Sequence, residues 1–278
     1  MERTKLVLLG TGNPNPDPLS SGPASAVIVD DRAFIIDAGP GVVRRAWGAY
    51  QKGIGPLRAD RLEYLFLTHL HSDHTVGLPD LVLTPWVMGR RGHLKIFGPP
   101  GTKRMCGHIL EAYREDITIR SKGLEGANEE GFHVNIREIK EGVVHDDSGV
   151  RVSAFRVNHG SWEHAFGFRF ETPDGVIVIS GDCSPTEESL DHYRGADILL
   201  HEVYSAKGLR GRPKGWQKYH RRSHTSSEEI ARIASEVRPG LLVLYHQLLW
   251  GSSPEEVLEE IGEIYHGEVR YGKDLDIY

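Results

Sequence analysis

The sequence predicts an α/β fold: two packed, mixed β-sheets flanked by helices, an αββα sandwich. Two observations lead there. Short apolar runs of strand length recur along all 278 residues, separated by turn residues or by helix-period segments. Several of these runs also end on a histidine or an aspartate, as strands do where an α/β sheet builds a site at its carboxyl edge.

Taken in order, strands are expected near 5–9, 25–30, 33–37 and 63–68, with a helix over 41–52 that stops before Gly53. Helices over 75–88 and 101–115 bracket a strand at 94–97. The glycine-containing, mixed-charge stretch Ser121 to Gly131 reads as a surface loop. Strands at 132–139, 143–146, 150–157, 165–171 and 176–180 follow, the last two joined by a tight turn at Pro173-Asp174-Gly175. A helix around 185–193, a strand at 197–201, a helix at 226–237, a strand at 241–245, a helix at 254–265 and a strand near 268–272 complete the pattern. No internal repeat or linker divides the chain, so residues 1–278 read as a single domain.

Composition narrows the class. A net charge of −6 argues against a surface that coats nucleic acid or adsorbs to membranes. Cys106 and Cys183 are the only cysteines, too few for a disulfide framework. The apolar stretch Leu6 to Leu9 is too short for a signal-peptide core, and nothing approaches a transmembrane helix. These features fit a cytoplasmic enzyme; a homodimer is allowed for.

The densest chemical signal is Thr68-His69-Leu70-His71-Ser72-Asp73-His74, directly after Leu65-Phe66-Leu67. Imidazole and carboxylate bind zinc and similar ions. If the strand continues through the motif, alternation turns His69 and His71 the same way. Asp73 and His74 then lie on the following turn and reach a second metal position. More ligands are needed to close a site. The run ending at Val157 leads to His159, Val176–Ile179 leads to Asp182, and Leu241–Tyr245 leads to His246. Each alone could be a turn residue; together with the first motif they suggest one convergent site. His164, shortly after His159, is the alternative third ligand. His159 is favoured because it directly ends the strand.

H-x-H-x-D-H after a strand, followed by His159, Asp182 and His246, resembles the metallo-β-lactamase superfamily. Thr11-Gly12, Asp37-Ala38-Gly39-Pro40-Gly41 and Gly77-Leu78-Pro79 fit the same family, and the likeness spans nearly the whole chain. His201-Glu202 and Ser223-His224-Thr225 are similar to the Glu–His pair of the branch that holds ribonuclease Z, arylsulfatases and cyclic phosphodiesterases. The resemblance implies two divalent metals, with zinc the default and manganese or iron also fitting the ligands. His69, His71 and His159 would hold one, Asp73, His74 and His246 the other, and Asp182 would bridge them. A metal-bridging hydroxide would be the nucleophile, Asp73 would orient it or take its proton, and Glu202 with His224 would protonate the leaving group. Thr225-Ser226-Ser227-Glu228 matches a capping box, whose helix start would favour an anionic group.

Between Glu202 and His224, the cations Lys207, Arg210, Arg212, Lys214, Lys218, Arg221 and Arg222 run without an acidic residue, interleaved with Trp216 and Tyr219. This segment either draws anionic substrates to the site or is a solvated loop. Cys183 reads as a small turn filler or a neighbour of the metals. Trp47, Trp86, Trp162 and Trp250 read as core or pocket wall. His201 should point away from Glu202, and the remaining histidines, His220 among them, look incidental.

The expected activity is hydrolysis of small anionic esters, phosphodiesters or aryl sulfates. A ribonuclease Z-like endonuclease ranks second. Ribonuclease Z usually carries a long basic arm between the third histidine ligand and the bridging aspartate, whereas only 23 positions separate His159 from Asp182. Cys183 and Gln247 also depart from that family's usual residues. RNA is therefore the less favoured substrate. Lactones and carboxylic esters remain open, and a metal-binding protein without turnover is the least favoured reading.

Overall fold

The apolar runs form two mixed sheets, each with its own helices and its own core. A computed structural model describes residues 3–147 and 149–278. They fall into two compact units. One comprises the chain up to Gly10, Pro16–Ile139 and Asp274–Tyr278, and the other Thr11–Asn15 and Lys140–Lys273.

In the first unit, β1 (Thr4–Gly10), β2 (Ala24–Val29), β3 (Arg32–Ile36), α1 (Val42–Gln51), β4 (Tyr64–Phe66), α2 (Ser72–Thr75), α3 (Leu78–Val87), β5 (Leu94–Gly98), α4 (Thr102–Ala112), α5 (Arg114–Lys122) and β6 (Val134–Glu138) follow one another. The sheet runs β1-β2-β3-β4-β5-β6, antiparallel through β3 and parallel beyond it. Every residue of β2 is buried, as expected of a strand covered on both faces. Val42, Val43, Ala46 and Ala49 turn one face of α1 into the core. Arg90 is fully buried there, its guanidinium donating to the carbonyls of Leu62, Leu81, Val82 and Gly131. Burial pushes its pKa down to about 10, still high enough to keep it charged.

The second unit holds β7 (Gly142–Asp147), β8 (Val150–Arg156), β9 (Phe166–Thr172), β10 (Gly175–Ile179), α6 (Glu187–Tyr193), β11 (Ile198–Tyr204), α7 (Ala206–Arg210), α8 (Lys214–Ser223), α9 (Ser227–Val237), β12 (Leu241–Leu248), α10 (Pro254–Gly262) and β13 (Val269–Tyr271). Its sheet runs β13-β12-β11-β10-β9-β8-β7, parallel from β13 to β10 and antiparallel from there on. Ile230, Ala231, Ile233, Ala234 and Val237 form the buried stripe of α9 in this unit's core.

The two-sheet, helix-flanked class is as expected; four local expectations change. The helix expected over 101–115 breaks at Tyr113 into α4 and α5, and α5 takes the first residues of the expected loop at Ser121. The helix expected over 75–88 starts earlier, as the separate turn α2. The cationic segment is not a loop but two helices, α7 and α8. It lacks an aliphatic stripe: α7 buries only Leu209, and the buried side of α8 is made by His220 and Ser223. The capping box opens α9 one residue later than the motif suggested, between Ser226 and Glu229. Among the described residues no helix is long and apolar enough to cross a membrane.

Candidate metal and hydrolytic site

In the first unit, β3 delivers Asp37, buried and with φ +61°. Its carboxylate accepts the Thr68 N–H at 2.8 Å, the Thr68 hydroxyl at 2.9 Å and His74 Nδ1–H at 2.7 Å. Thr68 Oγ1 in turn lies 3.0 Å from His69 Nδ1. Since the hydroxyl proton goes to Asp37, His69 Nδ1–H donates to Thr68. Both rings therefore carry their proton on Nδ1 and present Nε2 as a ligand atom, as imidazoles that bind metals do when a polar partner holds the other nitrogen. Asp37 was legible in the sequence only as part of a family-like run; its place after an apolar strand was the available signal.

The histidine motif does not lie on a strand. β4 ends at Phe66, and the last ladder bond there is Leu67 N–H to the Phe97 carbonyl at 2.8 Å. His71 caps α2, while Asp73 and His74 ride its first turn. The tight connection turns His69 Nε2 to within 2.9 Å of His71 Nδ1. Asp73 Oδ2 stands 3.6 Å from His74 Nε2. A backbone bond from Ala38 N–H to the His74 carbonyl and another from Gly77 N–H to the Ala38 carbonyl, both 2.8 Å, clamp α2 against the loop after β3. A Cβ at Gly77 would come 2.3 Å from the Gly39 oxygen, so only glycine permits this approach.

In the second unit, β8 leads to His159, β10 to Asp182, and β12 carries His246 within the strand rather than after it. His246 is skipped in the pairing of β11 with β12, where Glu202 faces Tyr245 and Val203 faces Gln247. It is a bulge residue with φ +47°, and the bulge aims its ring at the aspartate. His246 Nε2 lies 3.3 Å and His159 Nε2 4.0 Å from Asp182 Oδ2. The ligand-type atoms of Asp182, His224 and His246 all lie within 4.8 Å of one another. His159 Nδ1–H donates to the Ser223 carbonyl at 2.7 Å, which reserves Nε2. His164 sits half exposed with Nδ1 3.1 Å from Arg156 Nη2.

Glu202 and His224 meet. Glu202 Oε1 accepts His224 Nδ1–H, Cys183 N–H and Thr225 N–H, each at 3.1 Å. Glu202 Oε2 is buried with no hydrogen-bond partner among the described residues. Burial, then the nearby Asp182, pushes the Glu202 carboxyl well above the usual carboxylate range. His224 stacks parallel to His246 at 5.7 Å between centroids. The helix start expected to receive an anionic group is supplied from within: Thr225 N–H goes to Glu202 and Ser226 N–H to Glu229.

His201 points away from Glu202's side chain and is buried; burial lowers its pKa to about 4. Cys183 Sγ lies 3.7 Å from the Tyr193 hydroxyl, and burial raises its thiol pKa, so it is not poised as a thiolate. His220, read as incidental, is buried between Trp216, on which it stacks, and Trp250 at 4.5 Å.

Imidazoles with their second nitrogen engaged, beside buried carboxylates, fit a divalent metal in donor chemistry. Residues 32–247 match the model of the beta-lactamase superfamily domain, and the chain belongs to that superfamily as a metallo-β-lactamase-fold hydrolase. Within it, the chain belongs to the ribonuclease Z-like branch. It is 32% identical over 276 residues to ribonuclease Z of Mycolicibacterium paratuberculosis, covering 98% of this chain and 96% of that protein. The fold is shared with the crystal structure of short-form human tRNase Z, with a TM-score of 0.74 and 23% identity over 99% of this chain and 98% of that one. A metallo-beta-lactamase fold protein of Bacillus subtilis, YhfI, also gives 0.74, at 18% identity over 100% and 99% of the two chains. The Mycolicibacterium relative, aligned over 96% of its length with 98% of this chain, has no room for a long unmatched arm, so the 23 positions between His159 and Asp182 do not set this chain apart from it.

Proposed function

We propose that this chain is a divalent-metal-dependent phosphodiesterase that acts on RNA. The observation that carries the hydrolytic reading is the buried Glu202–His224 pair, 3.1 Å apart beside Asp182. RNA moves ahead of small esters because the chain is 32% identical to a ribonuclease Z over nearly the full length of both. Following the family, His69, His71 and His159 would hold one ion, Asp73, His74 and His246 a second, and Asp182 would serve both; zinc would be preferred, with manganese or iron as substitutes.

Bound, two such ions would polarise the phosphoryl oxygens and acidify a water. The chain's own groups do the rest. Asp37 and the Ser223 carbonyl hold the His74 and His159 rings in the tautomer that offers Nε2. Asp73 takes the proton of the attacking water. His224 protonates the departing oxygen, while Glu202 holds its Nδ1–H and supports the charged ring.

The test is cleavage of a tRNA precursor with a 3′ extension by metal-loaded protein, beside a panel of bis-nitrophenyl phosphate, an aryl sulfate and a lactone. One endonucleolytic cut, lost on chelation and in Asp182→Ala, is expected. Turnover of a small ester with RNA left intact would overturn the RNA reading and restore the small-ester one.

A further inference from the structure

The cations of α7 and α8 are not equivalent. Lys207 and Arg210 on α7 are neutralised by Glu256 and Glu228. On α8, Lys214, Lys218, Arg221 and Arg222 are exposed, and among the described residues none has a carboxylate within ion-pair distance. They recur at i, i+4, i+7 and i+8, one face of a helix. With Gln217 they line an open groove. No acidic residue occurs between Glu202 and Glu228.

The same helix is tied to the site at its C-terminal end. Its Arg222 carbonyl accepts Gly160 N–H at 3.1 Å, its Ser223 carbonyl holds His159, and His224 is its C-cap. Tyr219, 42% exposed, flanks the cationic row beside Arg222, 6.1 Å from the His224 ring, whereas Trp216 lies on the opposite side of the helix, stacked on the buried His220. A row of unneutralised cations about 12 Å long therefore ends where His159 and His224 begin.

We propose that the cationic face of α8 is the backbone-docking surface for the RNA, with Tyr219 as a stacking platform for an unpaired base. This rests on the RNA reading above. Cations without partners release counterions from a phosphate backbone on binding, whereas paired ones gain little. Exposed aromatics add sequence-tolerant stacking. On a chain of net charge −6 this concentrates the attraction on one helix and leads the strand to the site.

The experiment measures binding of a fluorescein-labelled stem-loop RNA with a single-stranded 3′ tail to the full-length protein, by anisotropy over a salt series. Lys214→Gln, Lys218→Gln and Arg221→Gln combined should flatten the slope of log K against log salt by about 2, since each phosphate contact on a single strand contributes about 0.7. Affinity at moderate salt should fall at least tenfold. Lys218→Gln alone should remove about a third of that slope, which guards against a misfolded triple variant. Tyr219→Ala should weaken binding with the slope intact. Neutralising the exposed Lys52, Lys103 and Arg104 is the control and should leave the slope nearly as it was. Wild-type binding that the α8 variants do not change, or that the control changes equally, overturns the docking surface and leaves the RNA reading standing. A wild type that hydrolyses small diesters but binds no RNA overturns both.

Discussion

His159 Nδ1 stands 2.7 Å from the carbonyl oxygen of Ser223, 64 positions further along the chain. The last turn of α8 thereby sets the tautomer of a proposed metal ligand on β8's exit, while the next residue, His224, faces Glu202. One helix end thus organises a proposed ligand and a proposed acid together.

His159→Ala should remove one equivalent of metal, because its Nε2 is the nitrogen reserved by the Ser223 bond. His164→Ala should retain full metal content, since that ring sits against Arg156. Elemental analysis of the two purified variants decides it; metal lost from the His164 variant alone would show the assignment to be reversed.

Asp37→Asn should weaken metal binding about 10- to 100-fold, the usual effect of removing a carboxylate behind a ligating imidazole. An amide can still accept from Thr68, but it competes poorly for His74 Nδ1–H. Chelator competition measures the affinity. A variant as tight as wild type would leave Asp37 as a structural residue only.

His224→Ala should slow a diester with an alkyl leaving group by about 10²–10⁴-fold and a nitrophenyl ester much less, with metal content unchanged. Glu202→Gln should show the same bias more weakly. The readout is the ratio of kcat/KM for the two esters in each variant, and equal losses on both would sink the proton-donor role.

His220 predicts a pH effect on stability. Burial between Trp216 and Trp250 lowers its pKa to about 4. The folded state thus refuses a proton that the unfolded chain accepts below about pH 6.5, so stability is full above that pH and falls as pH drops toward 4. His220→Phe should lose about 1–2 kcal/mol less than wild type between pH 7 and pH 5. Urea unfolding of metal-free protein at both values tests this; parallel losses would place the acid sensitivity elsewhere, His201 being the next candidate.

Much of this was legible in the linear chain. Strand-length apolar runs predicted both sheets, since burial on one or two faces imposes its pattern locally. The same runs pointed to Asp182 and His246, and H-x-H-x-D-H announced a metal. The helix α8 was not legible because its buried side is aromatic and polar, His220 and Ser223, rather than aliphatic. The bulge at His246 was not legible either: a one-residue slip in pairing depends on the neighbouring strand.

By itself, then, the sequence determined the class of fold, the metal chemistry and the candidate ligands, because hydrophobic period and ligand type are properties of neighbouring residues. Only the tertiary structure decided which nitrogen His69, His74 and His159 present, that Glu202 reaches His224, and that among the described residues the α8 cations have no carboxylate within ion-pair distance. Those follow from partners many positions away, Asp37 for His74 and Ser223 for His159, and hydrogen bonds between distant residues form only once the fold has brought them together.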